Sequence, residues 1–310
     1  MPARTQVTPA PCCSWVTVLA LLLLFCLSCN ERPSPTAARE GRKEDVRKTL
    51  NRLPATIAGA VVGVALAAAP VAGQEEETSE VFPGEVTGGV ALTSDYVFRG
   101  ISQTDGEPAI QGSLEYAIET GIAGSSAYAG FWGSNVDFDD GGEAHVEIDV
   151  LFGLRGDVGD TGFSWDLGAI YYWYPGASSR LDYDYWEIVP QVGYEINDLV
   201  SVSALYGFSP EFFGDTGLAH YVQGGVSVTP DLPFQGFDLS LDGTVGYQWI
   251  EDNSRAGAED YLNWSLGATV SVKGLDFTVA YTDTDLSRSD CFSNTNLCEG
   301  RVIFAVGAAF

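Results

Sequence analysis

From Val86 onward the chain has no uninterrupted apolar run long enough to cross a bilayer as a helix, which excludes a helical-bundle membrane protein for that part. It is also short of positive charge. Only 15 Lys and Arg face 42 Asp and Glu, a formal net charge of −27 that leaves no basic face for nucleic acid. Histidine is scarce, with two in the chain. After Val86 there is no zinc-ligand spacing, no nucleotide-binding glycine loop and no helical apolar stripe, and the residues present call for no metal and no cofactor.

What the chain has instead is 36 Gly, 12% aromatics and abundant carboxylates. Its apolar side chains still hold the mean hydropathy at +0.06, so the two kinds must be segregated. Period-two segregation, apolar to lipid and polar to the lumen, is how a membrane β-barrel does it. The last ten residues show the pattern most plainly: Val302, Phe304, Val306, Ala308 and Phe310 share one face, and Arg301, Ile303, Ala305, Gly307 and Ala309 the other. A strand that stays apolar on one face to a terminal aromatic suits a barrel sealed in lipid, with Phe310 as the feature that barrel-assembly machinery would read.

Two apolar runs precede this region, Trp15 to Cys29 and Ile57 to Ala72. The second has the anatomy of a signal peptide: Arg47, Lys48 and Arg52 as the basic segment, an apolar core, and Val71-Ala72-Gly73 before a cut ahead of Gln74. Two export signals in series make little physical sense, so residues 1–45 read as a misannotated extension, with the natural start at Val46 and residues 46–73 as the signal peptide. A lipoprotein at Leu27-Ser28-Cys29 is the rival reading. Residues 74–310 carry 7 basic and 38 acidic residues, a net charge of −31. Residues 74–85 read as a flexible acidic leader. The exported part keeps Cys291 and Cys298, a close pair that reads as a disulfide in an oxidising compartment, with a metal site as the alternative.

From Val86 to Phe310 about twelve alternating segments follow, each long enough to cross a bilayer as a tilted strand. Leu262, Trp264, Leu266, Ala268, Val270 and Val272 oppose Tyr261, Asn263, Ser265, Gly267, Thr269 and Ser271. Val146, Ile148, Val150, Phe152 and Leu154 oppose Glu147, Asp149 and Arg155. At about 3.6 residues per turn a helix would smear these charges around its surface. The expected fold is all-β: a transmembrane antiparallel up-and-down β-barrel over residues 86–310 with both termini periplasmic. Short turns are expected near 120–125, 157–162, 197–198, 230–236 and 273–274, and longer external loops near 99–108, 137–142, 176–182, 209–217, 252–258 and 287–300. Tyr96, Phe98, Trp132, Tyr172, Trp173, Trp186, Trp249 and Trp264 fall near strand ends, as interfacial girdles would.

The run Ser94-Asp95-Tyr96-Val97-Phe98-Arg99-Gly100-Ile101-Ser102-Gln103-Thr104, with Pro108-Ala109-Ile110-Gln111-Gly112, Trp132 to Val136, Glu147-Ile148-Asp149, Tyr171 to Pro175, and Asp290-Cys291 with Cys298, resembles the TorF family of proteobacterial porins. The likeness spans Val86 to Phe310. It implies an outer-membrane porin of a Gram-negative bacterium and brings no functional residues with it.

By parity the lumen should receive Asp95, Glu115, Glu119, Glu147, Asp149, Asp166, Glu187, Glu195, Asp238, Asp242, Asp276 and Asp283, against Arg99, Arg155 and Arg301. A lining of one sign enriches cations and repels anions, so the expected function is passive diffusion of ions or small solutes with weak cation preference. Arg99 is expected at the end of the first strand, within reach of Asp95 or Asp149. The alternatives are a filled barrel closed by its own side chains, a surface-display barrel, and a lipid-acting enzyme using His145 or His220. The block Asp137 to Glu143 could hold a divalent cation, though it reads more simply as a solvated acidic loop. Expected partners are outer-membrane lipids and lipopolysaccharide.

Overall fold

The computed structural model describes residues 83–310 apart from 123, 139–143, 234–235 and 293. The expectations for the extension 1–45, the signal peptide 46–73 and residues 74–82 of the leader lie outside the described residues, as do residues 139–143 of the acidic block.

Twelve strands form one closed antiparallel barrel. They are β1 (Glu85–Thr93), β4 (Ala109–Glu119), β5 (Ser125–Asn135), β6 (Val146–Asp157), β7 (Phe163–Trp173), β8 (Tyr185–Glu195), β9 (Val200–Ser209), β10 (Ala219–Val228), β11 (Asp238–Ile250), β12 (Tyr261–Val272), β13 (Leu275–Thr284) and β14 (Arg301–Ala309). Each pairs with its sequence neighbours in the barrel, and β1 closes the ring against β14 through the pairs Gly89–Ala309 to Thr93–Ala305. The remaining two strands, β2 (Val97–Phe98) and β3 (Ile101–Ser102), pair only with each other.

The two-residue rhythm decides which side chains face inward. Along β13, Leu275, Phe277, Val279 and Tyr281 are exposed on the outer surface while Asp276, Thr278, Ala280 and Thr282 are buried. In β14 Phe304 is 61% exposed and Ile303 only 4%, and at mid-strand in β12 Leu266 is 68% exposed. The outer face is thus apolar around the ring, from Val90 and Leu92 through Ile110, Leu114, Phe152, Leu167, Ile188 and Val245. Exposing so much apolar surface to water would forfeit about 25 cal/mol per Å2, which a hydrocarbon surrounding removes.

Connections alternate in length as expected, except that 229–237 on the short-turn rim is as long as 210–218 opposite, nine residues each. One rim carries the short turns 120–124, 158–162, 196–199, 229–237 and 273–274; the other carries the loops 94–108, 136–145, 174–184, 210–218, 251–260 and 285–300. Lys273 and Gly274 both have positive φ, 51° and 79°, the conformation of a tight two-residue hairpin turn.

Four expectations are corrected. The first strand begins at Glu85 rather than Val86. Tyr96, Trp132 and Tyr172 are buried, and Phe98 packs edge-on against Tyr172, so these four rings line the interior and form no girdle; Trp173, Trp186 and Trp249 are exposed on the outside. Asp283 pairs across β12 with Trp264, in register with the outward residues, so it does not face the lumen. The loop after β1 does not project away from the barrel; its middle folds inward.

Candidate functional site

The turn-in begins where β1 ends. Val97-Phe98 and Ile101-Ser102 pair around Arg99-Gly100, and both turn residues have positive φ, 48° and 85°. A two-residue turn of this kind matches the twist of its flanking strands, and Gly100 is required on packing grounds too. A Cβ there would lie 2.6 Å from Thr284 Cγ2 and 3.0 Å from Asn263 Cβ. Arg99, which is not glycine, accepts an uncommon backbone conformation that costs about 1 kcal/mol or more unless its surroundings fix it.

They do fix it. Arg99 is 0% exposed and its Nη2 donates to both oxygens of Glu187 on β8, at 2.9 and 2.7 Å. Its Nη1 donates to Gln248 Oε1 on β11 at 2.7 Å, and its guanidinium lies 4.1 Å from the centre of the Tyr221 ring on β10 and 4.7 Å from that of Phe98. Tyr172 Oη donates to Glu187 Oε2 at 3.1 Å. Burial opposes the charge on Arg99, but the Glu187 carboxylate and the surrounding tyrosines more than offset it and hold its pKa above the ordinary value. Glycines make the room: a Cβ at Gly207 would come within 3.2 Å of Arg99 Nη2, and one at Gly246 would strike the phenol of Tyr221. Pro190 in β8 has no N–H to donate, and the β8–β9 pairing passes from Ile188–Phe208 to Gln191–Leu205 beside this glycine.

The rest of the hairpin reaches the other walls. Tyr96 packs on Trp132 at 5.2 Å between ring centres and its Oη donates to Glu147 Oε1 at 2.9 Å. Asp95 accepts from Ser102 Oγ at 2.7 Å, Thr104 Oγ1 at 2.9 Å and Arg301 Nη1 at 2.6 Å. The disulfide Cys291–Cys298 holds the adjoining loop against the hairpin: Ser102 N–H donates to Leu297 C=O at 2.9 Å, and Ile101 packs with Tyr261, Leu297 and both cysteines. Over the other side of the mouth the rings of Phe138, Tyr174, Tyr183, Tyr185, Phe212 and Phe213 interlock. The hairpin therefore crosses the lumen at the long-loop end and contacts strands on every side.

A second charged group lies toward the short turns. Arg155 Nη2 bonds Glu115 Oε1 at 2.6 Å and its guanidinium lies 4.9 Å from the Tyr128 ring centre, while Tyr128 Oη donates to Asp166 Oδ1 at 2.8 Å. The facing wall is lined with small hydroxyls: Thr244 with Ser265 at 2.7 Å, Thr269 with Thr278 at 2.8 Å, and Ser227 with Ser240, which donates to Asp242 Oδ2 at 2.8 Å. Ser271 donates to Asp276. Asp238 and Glu119 stand exposed at the rim, and Glu195 half-buried near it.

The structure places Glu115, Glu147, Asp149, Arg155, Asp166, Glu187, Asp238, Asp242 and Asp276 on the inner face of their strands. Asp95 and Arg99 are inside too, but on the hairpin, and Arg99 pairs with Glu187 rather than with Asp95 or Asp149. Gln248, Tyr221, Tyr172 and Gly207 were missed. The signals that could have found them are the two-residue turn Arg99-Gly100 and the inward-facing glycines Gly207 and Gly246. His220 lies on the outer side, its Nδ1 2.7 Å from Tyr206 Oη, and His145 is exposed in a loop.

No curated protein sequence matches the chain. Among solved structures, the KdgM porin is 10% identical, with a TM-score of 0.42 over 73% of this chain and 99% of that one. An outer membrane channel from Pseudomonas putida F1 is 9% identical, with 0.45 over 76% and 98%. LpxR from Salmonella typhimurium is 8% identical, with 0.41 over 72% and 99%. At these scores the likenesses say nothing of solute or activity. The sequence match is firmer: residues 76–310 match the family described as "Bacterial protein of unknown function (Gcw_chp)", and the chain belongs to that family.

Proposed function

We propose that this protein is an outer-membrane channel through which ions or small solutes diffuse, weakly favouring cations, and that conduction requires the β2–β3 hairpin to leave its seat. The observation that carries the reading is the closed twelve-stranded barrel, apolar outside, whose inner face holds carboxylates in excess of arginines. Confined charge of one sign raises the local concentration of the opposite ion. On this reading the short-turn rim and both termini face the periplasm, the disulfide loop faces outward, and lipid and lipopolysaccharide surround the apolar belt. Phe310, whose backbone exchanges hydrogen bonds with Gly88, serves as the assembly signal. The TorF resemblance agrees with this function, and no catalytic step is assigned.

Planar-bilayer recording in a salt gradient tests the proposal. The expected result is small unitary conductance with a reversal potential of cationic sign. Anion selectivity, or silence even after the hairpin is deleted between Ser94 and Pro108, would overturn it. The filled-barrel alternative is favoured by one observation, the complete burial of Arg99 across the lumen. It predicts silence in the intact chain and conductance in the deletion.

A further inference from the structure

The seat of Arg99 is built almost wholly from residues outside the hairpin. Glu187 grips the guanidinium with two oxygens, Gln248 adds an amide oxygen, Tyr221 supplies an aromatic face, and Gly207 leaves the space. A paired carboxylate, a neutral acceptor and a stacked ring are what a planar, delocalised cation needs from a receptor. The seat also holds more carboxyl groups than Arg99 pairs with. Asp149 on β6 is 0% exposed, and its carboxyl group shares a hydrogen bond with that of Glu147 and meets no other donor among the described residues. Its acidic neighbours are Glu147, which also accepts from Tyr96, and Glu187. Glu187 and Glu147 already anchor the hairpin through Arg99 and Tyr96, so the sealed carboxyl group of Asp149 adds no anchor and burdens the fold with desolvation.

We propose that the wall formed by β6, β8, β10 and β11 is a binding site for an organic cation bearing a guanidinium or ammonium group, and that Arg99 occupies it as a tethered stand-in. Tethering gives Arg99 a high effective concentration, so a free solute displaces it best if it carries a second positive group. Asp149 and Glu147 are placed to receive that second charge. The inference rests on the channel reading only for its consequence, that such solutes would be the ones to unseat the hairpin.

The test needs no ion flow, so its failure and the failure of the channel reading are distinguishable. Arg99→Gly empties the seat and suits the φ of 48° at that position. The refolded, detergent-solubilised variant is titrated with methylguanidinium, with methylurea as a neutral isostere and with K+, reading Tm, or the refolding yield if the variant does not fold unaided. Methylguanidinium should act at concentrations ~10-fold or more below either control, and adding Glu187→Gln should abolish the effect. Agmatine, which has both a guanidinium and an ammonium group, should act ~10-fold lower again, a margin that Asp149→Asn removes. Equal responses to methylguanidinium and K+, or a response that survives Glu187→Gln, overturns the site. Absence of the agmatine margin overturns the role given to Asp149 and Glu147.

Discussion

Toward the long loops the barrel interior is filled with large rings and acids: Trp132, Glu147, Asp149, Tyr172, Glu187, Tyr221 and Gln248, all buried and gathered around an inserted hairpin. Toward the short turns the same strands present Ser203, Ser227, Ser240, Gly225 and Gly193, of which Ser203 is exposed although it faces inward. Strand number is common to both ends, so side-chain volume and the inserted hairpin decide that one end is packed and the other open. Burial at the packed end makes each polar contact count for more, because an unmade bond there costs the full desolvation of the group left behind. At the open end water can replace any partner.

The largest test of that difference is Glu187→Leu, which leaves the Arg99 guanidinium buried without its carboxylate. A loss of about 3–5 kcal/mol in hairpin seating is expected, read as trypsin cleavage after Arg99 in a barrel whose bond there is otherwise protected. Cys291→Ser with Cys298→Ser should follow, at roughly 2–3 kcal/mol, since opening this short loop frees the segment that receives Ser102. The readout is the same cleavage, with strand content by circular dichroism unchanged. Gly246→Ala should cost about 1–3 kcal/mol in thermal unfolding, because the new methyl drives Tyr221 from beneath Arg99. Smallest in stability is Ser203→Trp at the open end, within about 0.5 kcal/mol. It should instead narrow the lumen and lower the conductance of a hairpin-deleted barrel. Were Ser203→Trp as damaging to stability as Glu187→Leu, the division into packed and open ends would fail.

The barrel was legible because a period of two survives every local irregularity: one apolar face per crossing places Leu266 outside and Ser265 inside whatever the loops do. Charged lining residues came with it, since Glu147, Asp149 and Glu187 sit in phase with their strands. The hairpin was not legible by the same means. Strands of two residues have no measurable period, and a turn-in is written in the tight turn Arg99-Gly100 and in cavities left by Gly207 and Gly246. Nor could the partner of Arg99 be read from spacing, because Glu187 is 88 residues away. Parity says only that a side chain points inward. It does not rank Glu187 above Asp149, which is nearer in sequence. The aromatic residues near strand ends misled for a related reason, as rings suit both an interface and a packed interior, and phase separates Trp132 from Trp173.

The seam between β1 and β14 sets an order in time. Ser94 N–H donates to Phe304 C=O, and Asp95 meets Arg301 across a separation of 206 residues, so the hairpin's root is fastened to β14, the strand that closes the ring on β1. Until that strand arrives, two sheet edges lie open to foreign strands and the hairpin has no floor to stand on. Sealing the ring and giving the hairpin its floor are then one event, so a barrel still open between β1 and β14 lacks both.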